Sequence, residues 1–85
     1  MMDTQIFNLK LSVYATSLYI LLTELAASGV RPTREEIAGR FAAGREDTDI
    51  ALQDLLVRRV IYASDPGGDV PLSYHPNPAS LWILP

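Results

Sequence analysis

The chain has 85 residues, 48% of them hydrophobic and 20% charged, with a net charge of −3 and a pI near 4.8. That is the composition of one small globular domain, too short for a second domain or an enclosed active site and richer in apolar residues than a disordered chain. Zero cysteines exclude disulfides, thiolate catalysis and Cys-based zinc sites and suit a reducing, cytoplasmic setting, while the negative charge counts against nucleic acid except through a local basic patch.

The first nine residues, MMDTQIFNL, place Ile6, Phe7 and Leu9 on no clear period and read as an arm that packs on the body or on a partner. The run LSVYATSLYILLTELAA is the most apolar stretch, but Glu24 interrupts it and it falls short of a roughly 20-residue span, so it is expected to be a buried helix and not a membrane anchor or signal. This first helix is expected over residues 11–28, with a core stripe of Tyr14, Leu18, Leu21, Leu22 and Leu25 and with Gly29 as its stop. Val13 and Ile20 fall off that stripe and need a second cover, supplied either by the arm or the C-terminal tail within the monomer or by a second subunit.

In PTREEIAGRF, Thr33 is the expected N-cap of a second helix and Glu36 the reciprocal member of a capping box, with Ile37, Ala38 and Phe41 facing the core and Arg34, Glu35 and Arg40 facing water. A third helix is expected over residues 45–59. Gly44 caps it, Thr48, Ala51, Leu52, Leu55 and Leu56 face inward, and Asp47, Asp49, Ile50, Gln53 and Asp54 face outward. The period then changes to two in VIYAS, the turn cluster DPGGD follows, and VPLSY resumes an extended pattern, which predicts a β-hairpin whose second strand Pro71 confines to an edge or bulge. The tail HPNPASLWILP, residues 75–85, is expected to be extended, with Trp82 and Leu81 or Ile83 pinning it to the body.

A long helix, a capped short helix, a second amphipathic helix and a Gly-rich hairpin resemble a winged helix-turn-helix domain. PTREEIAGRF and GREDTDIALQDLLVRRVI stand for the two helices of the motif, and YASDPGGDVPLSY for the wing. The expected organisation is one domain, with an arm over 1–9, a core over 10–74 and the tail beyond. More narrowly, RPTREEIA, ALQDLLVRRVIYASDPGGDV and SYHPNPAS together resemble the N-terminal helical domain of alkylmercury lyase-like proteins. That resemblance implies an accessory domain preceding a catalytic one. Carbon–mercury cleavage in the family needs cysteine thiolates, which this chain lacks, so the activity is not carried over.

A DNA-reading helix presents Arg, Lys, Asn, Gln, Ser or Thr to base edges and phosphates. The third helix offers only Gln53 among Asp47, Asp49, Ile50 and Asp54, and the wing carries Asp65 and Asp69 with no Lys or Arg. The sequence therefore points to a noncatalytic protein-interaction or regulatory module, binding a protein partner or forming a homodimer, with Ile6, Phe7, Val13, Ile20, Ile50 and Gln53 as candidate contacts. The alternative is a DNA-binding transcriptional regulator, whose contacts would be Arg34, Arg40, Arg45, Gln53, Arg58 and Arg59. No cofactor and no metal site is expected: His75 has no second ligand near it in sequence, and DPGGD lacks the lysine and helix of a phosphate-binding loop.

Overall fold

The computed structural model describes residues 4–42 and 44–83. Three α-helices, α1 (Val13–Ala27), α2 (Arg34–Arg40) and α3 (Arg45–Val57), are followed by an antiparallel hairpin of β1 (Ile61–Ser64) and β2 (Ser73–Pro76), with short 3-10 helices at Thr4–Leu9 and Ala79–Leu81. This is a mainly helical fold with the architecture of a helix-turn-helix plus wing.

Helix α1 begins where Ser12, in extended conformation, accepts the Ala15 N–H on Oγ at 3.1 Å. It ends in a Schellman motif, in which Gly29 takes a φ of 74° and the Val30 N–H reaches the Leu25 carbonyl at 3.0 Å. Its buried face comprises Ala15, Leu18, Tyr19, Leu22 and Leu25, packed against α3 and β2. The stripe is turned toward Ala15 and Tyr19 relative to the sequence expectation, leaving Tyr14 49% exposed and Leu21 only partly buried. The reason is the C-terminal tail. Trp82 lies edge-on against Tyr19, with ring centroids 5.6 Å apart, and draws that side of the helix inward, while Tyr14 lies edge-on to the rim residue Phe41.

The arm expected over 1–9 is a 3-10 helix from Thr4 to Leu9 that buries Ile6 and Leu9 completely or nearly so, and residues 1–3 lie outside the described residues. Ile6 is thus a core residue and not a free contact. It occupies the same hydrophobic cluster as Leu18, Leu22, Leu55 and Trp82.

Helix α2 starts as expected: Thr33 Oγ1 accepts the Glu36 N–H at 3.2 Å. Only half of the capping box forms. The Thr33 N–H donates to the Arg31 carbonyl at 2.9 Å, and the Glu36 carboxylate pairs with Arg40 one turn on. Ile37 fills the core and Phe41 packs partly against it, but Ala38 is exposed, on the cleft between α2 and α3.

Helix α3 buries Thr48, Ala51, Leu52 and Leu55, with Leu56 partly buried at the core margin. It stops at Val57, two residues before the expected end. Arg59 takes a φ of 56°, its N–H bonds to the Leu56 carbonyl at 3.1 Å, and the Val60 N–H bonds to the Leu55 carbonyl at 3.0 Å. This is a second Schellman motif, in which Arg occupies the left-handed position that glycine fills more cheaply. Burial of Val60 and Ile61 just beyond it holds the arginine there.

The hairpin pairs Ile61 with Pro76, Tyr62 with His75, Ala63 with Tyr74 and Ser64 with Ser73. Its second strand lies three residues beyond the start of the expected VPLSY, so Val70, Pro71 and Leu72 belong to the wing loop, and His75 and Pro76, expected in the tail, belong to the strand. The cause is pairing on both edges of β2. Opposite β1, the Tyr74 N–H donates to the Pro32 carbonyl at 3.0 Å and Ser73 bridges Thr33, contacts that VPL, with its proline, cannot supply. In the loop, Asp65 Oδ1 accepts the Gly67 N–H at 2.9 Å, and Gly67 and Gly68 take the positive φ values that this turn needs.

The tail is folded back rather than extended. The Asn77 N–H donates to the Val60 carbonyl and the Ile83 N–H to the Arg58 carbonyl, and the Trp82 indole N–H donates to the Asn77 carbonyl at 3.0 Å. Trp82 is buried, whereas Leu81 and Ile83 remain about half exposed, and Leu84 lies outside the described residues. Thr33→Ala is expected to cost about 1 kcal/mol in a denaturant melt. Arg59→Gly is expected to raise stability by roughly 0.5–1 kcal/mol, because the left-handed residue would lose its Cβ strain; a drop in the midpoint would mean that the arginine side chain holds the turn.

Candidate functional site

The outward face of α3 is the surface that a helix-turn-helix scaffold presents, and here it combines acid with apolar side chains. Turning 100° per residue, the inward set Thr48, Ala51, Leu52 and Leu55 leaves Glu46, Ile50, Gln53 and Val57 in one outward row. Ile50 is 54% and Val57 62% exposed. Asp47 and Asp54 border the row on one side and Asp49 on the other. Asp49 is paired with Arg34 of α2, whereas Glu46, Asp47 and Asp54 form no ion pair among the described residues.

Two of the clefts beside this row carry several charged side chains each. One, of about 400 Å³, lies between α2 and α3 and is lined by Arg34, Glu35, Ala38, Arg45, Thr48 and Asp49. Its two guanidinium groups face two carboxylates, so it has no net charge with which to draw in an anion. The other, of about 320 Å³, is lined by Lys10, Leu11, Ser12, Asp54, Val57 and Arg58 and brings the start of α1 beside the end of α3. The first charge of α1's approach, Lys10, thereby joins Arg58 at the C-terminal end of the outward row.

The basic residues do not converge. Arg34 and Arg40 are engaged by Asp49 and Glu36, and Arg45 opens α3 on the α2 cleft. Arg58 and Arg59 lie at the far end of α3, about 20 Å along a 13-residue helix. Arg31, also part of the basic group in sequence, donates from Nη2 to the Pro71 carbonyl at 2.8 Å and ties the wing loop to the α1–α2 connection. Gln53 is exposed at the middle of the row.

Among the expected protein contacts, Phe7 (56% exposed), Val13 (80%) and Ile50 are free apolar groups, Ile20 is half-buried, and Ile6 is internal. Val57 was not singled out by sequence; the signal that reveals it is its seven-residue spacing from Ile50. Tyr62, Val70 and Leu72 are also exposed, on the hairpin and wing.

His75 Nε2 lies 2.7 Å from Ser73 Oγ, and the imidazole stacks on Tyr62 at 5.3 Å. Ser73 is completely buried between β1 and the Thr33 bridge, so its hydroxyl is out of reach of solvent and the pair is a link along β2. No group of His, Asp and Glu among the described residues is arranged to hold a metal ion, and none of the described helices is long and apolar enough to cross a membrane.

Comparison with protein-family models, with curated proteins and with solved structures gives no match. The surface chemistry is therefore the ground on which function is argued. Because Arg34 and Asp49 are each about half exposed, Arg34→Ala is expected to cost less than about 1 kcal/mol, and less again at high salt. By contrast, Leu55→Ala, which empties a fully buried position, is expected to cost roughly 2–5 kcal/mol in the same melts, with Ile50→Ser within about 0.5 kcal/mol of the parent protein.

Proposed function

We propose that this protein is a noncatalytic winged-helix module that acts by binding another protein surface through the outward row of α3. The observation that carries the reading is the composition of that row: Ile50 and Val57 exposed on the helix, with Glu46 and Asp47 at its N-terminal end forming no ion pair among the described residues. Apolar groups of this kind gain by leaving water, at ~25 cal/mol per Å², whereas carboxylates entering a DNA groove would be repelled by the phosphates on either side. The acidic wing, Asp65 and Asp69 without Lys or Arg, acts in the same direction.

Within this reading the chain is a regulatory or accessory domain of the kind that precedes the catalytic domain of alkylmercury lyase-like proteins, working in the cytoplasm. The second reading, a DNA-binding regulator, draws on Arg34 and Arg45 at the α2–α3 cleft. It is the weaker one because Arg34 is held by Asp49, Arg40 by Glu36 and Arg31 by the wing loop, while Arg58 and Arg59 lie at the opposite end of α3.

A fluorescence-anisotropy titration with mixed-sequence duplex DNA at physiological salt is expected to show no binding, and a photo-crosslinker at position 50 to capture a discrete protein that one at exposed Glu24 does not. Saturable DNA binding weakened by Arg45→Ala, with no capture at position 50, would replace the interaction reading by the DNA one.

A further inference from the structure

The outward row of α3 is polar along its length as well as apolar across it. Ile50 and Val57 lie at equal distances on either side of the Gln53–Asp54 peptide, and both are more than half exposed. Beyond Ile50, at the N-terminal end, come the unpaired acids Glu46 and Asp47. Beyond Val57, at the C-terminal end, come Arg58 and Lys10, which share a cleft with Val57 and form no ion pair among the described residues. A helix face that is acidic at one end, basic at the other and apolar at two symmetric points is complementary to its own reverse.

We infer that the partner which this surface fits is a second copy of the same chain, docked with its α3 antiparallel to the first about a two-fold axis near Gln53. The inference rests on the interaction reading above and names the partner. In this arrangement Ile50 of one chain meets Val57 of the other at both ends of the contact, as an isologous interface requires. Glu46 and Asp47 approach Arg58 and Lys10 of the second copy, and the two helix macrodipoles oppose. The Gln53 side chains meet at the axis, where each amide can donate and accept. Asp54, beside the axis, lies in the cleft that holds its own Lys10 and Arg58, which offset its charge there.

A parallel pairing would set acid against acid, and a strongly basic partner helix would repel Lys10 and Arg58. One helix pair buries less than the roughly 1,200 Å² of a standard stable interface, so the dimer is weak and sensitive to salt.

The test is sedimentation of the full chain over a concentration series at low and high salt. The parent protein is expected to enter a monomer–dimer equilibrium that salt weakens. Ile50→Asp is expected to weaken it about tenfold or more with unchanged circular dichroism. Reversing the acidic end (Glu46→Lys with Asp47→Lys) or the basic end (Lys10→Glu with Arg58→Glu) is expected to abolish self-association of each variant, while an equimolar mixture of the two dimerises.

A parent protein that stays monomeric throughout would overturn the self-pairing; capture of a different protein at position 50 would then leave the interaction reading standing, and capture of nothing would remove both. A dimer untouched by Ile50→Asp, or reversed variants that do not rescue one another on mixing, would equally overturn the antiparallel arrangement. Ile50→Ser, which introduces no charge, serves as the second variant if Ile50→Asp lowers the melting midpoint.

Discussion

Burial of one face of α1 is the constraint on which the rest of the molecule depends. Ala15, Leu18, Tyr19, Leu22 and Leu25 enter the core together, and α3, β2, the arm and the tail each secure their place by covering part of that face. Leu52 and Leu55 reach it from α3, Ile6 and Leu9 from the arm, Tyr74 from the hairpin and Trp82 from the tail. In a domain of this size no element has enough apolar area to be stable alone. The arm and tail are therefore as much part of the core as the helices.

The backbone links between these parts explain why the hairpin lies where it does. Strand β2 is bonded on one edge to β1 and on the other to the Pro32–Thr33 segment that caps α2. The segment before α2, the wing and the end of α3 are thus joined through a single strand, and Asn77 and Ile83 extend the joint to the Arg58–Val60 turn. Because this joint fixes the end of α3 against the body, the helix cannot rotate to bury Ile50 and Val57 without losing Leu52 and Leu55 from the core. Their exposure follows from packing inside the domain.

The same geometry separates charge. Arg34 and Arg40 are answered within α2 and α3, Arg31 is spent on the wing loop, and Glu46 and Asp47 at the N-terminal end of α3 form no ion pair among the described residues. A scaffold whose best-known use is to press a positive helix into a DNA groove here presents a helix with acid at its leading end. Fold alone does not assign the function, and the protein-binding role proposed above draws on the chemistry of the row.

Local chemistry in the chain was enough to place the Thr33 cap, the glycine stop after α1, the inward set Thr48, Ala51, Leu52 and Leu55, the acidic outward face of α3 and the occurrence of a hairpin after it. Each depends on a hydrogen bond or a periodicity contained within a few neighbouring residues, which is why sequence alone determined it. Three things were decided only in three dimensions. Tyr19 replaced Tyr14 in the core because Trp82, more than sixty residues away, packs on it. The second strand moved to Ser73–Pro76 because its partners include Pro32 and Thr33, and Ile6 became core because the arm folds into the cluster that α1, α3, the hairpin and the tail share. In each case the free energy comes from contacts between segments distant in the chain, and no local preference encodes which distant surface will be there to meet them.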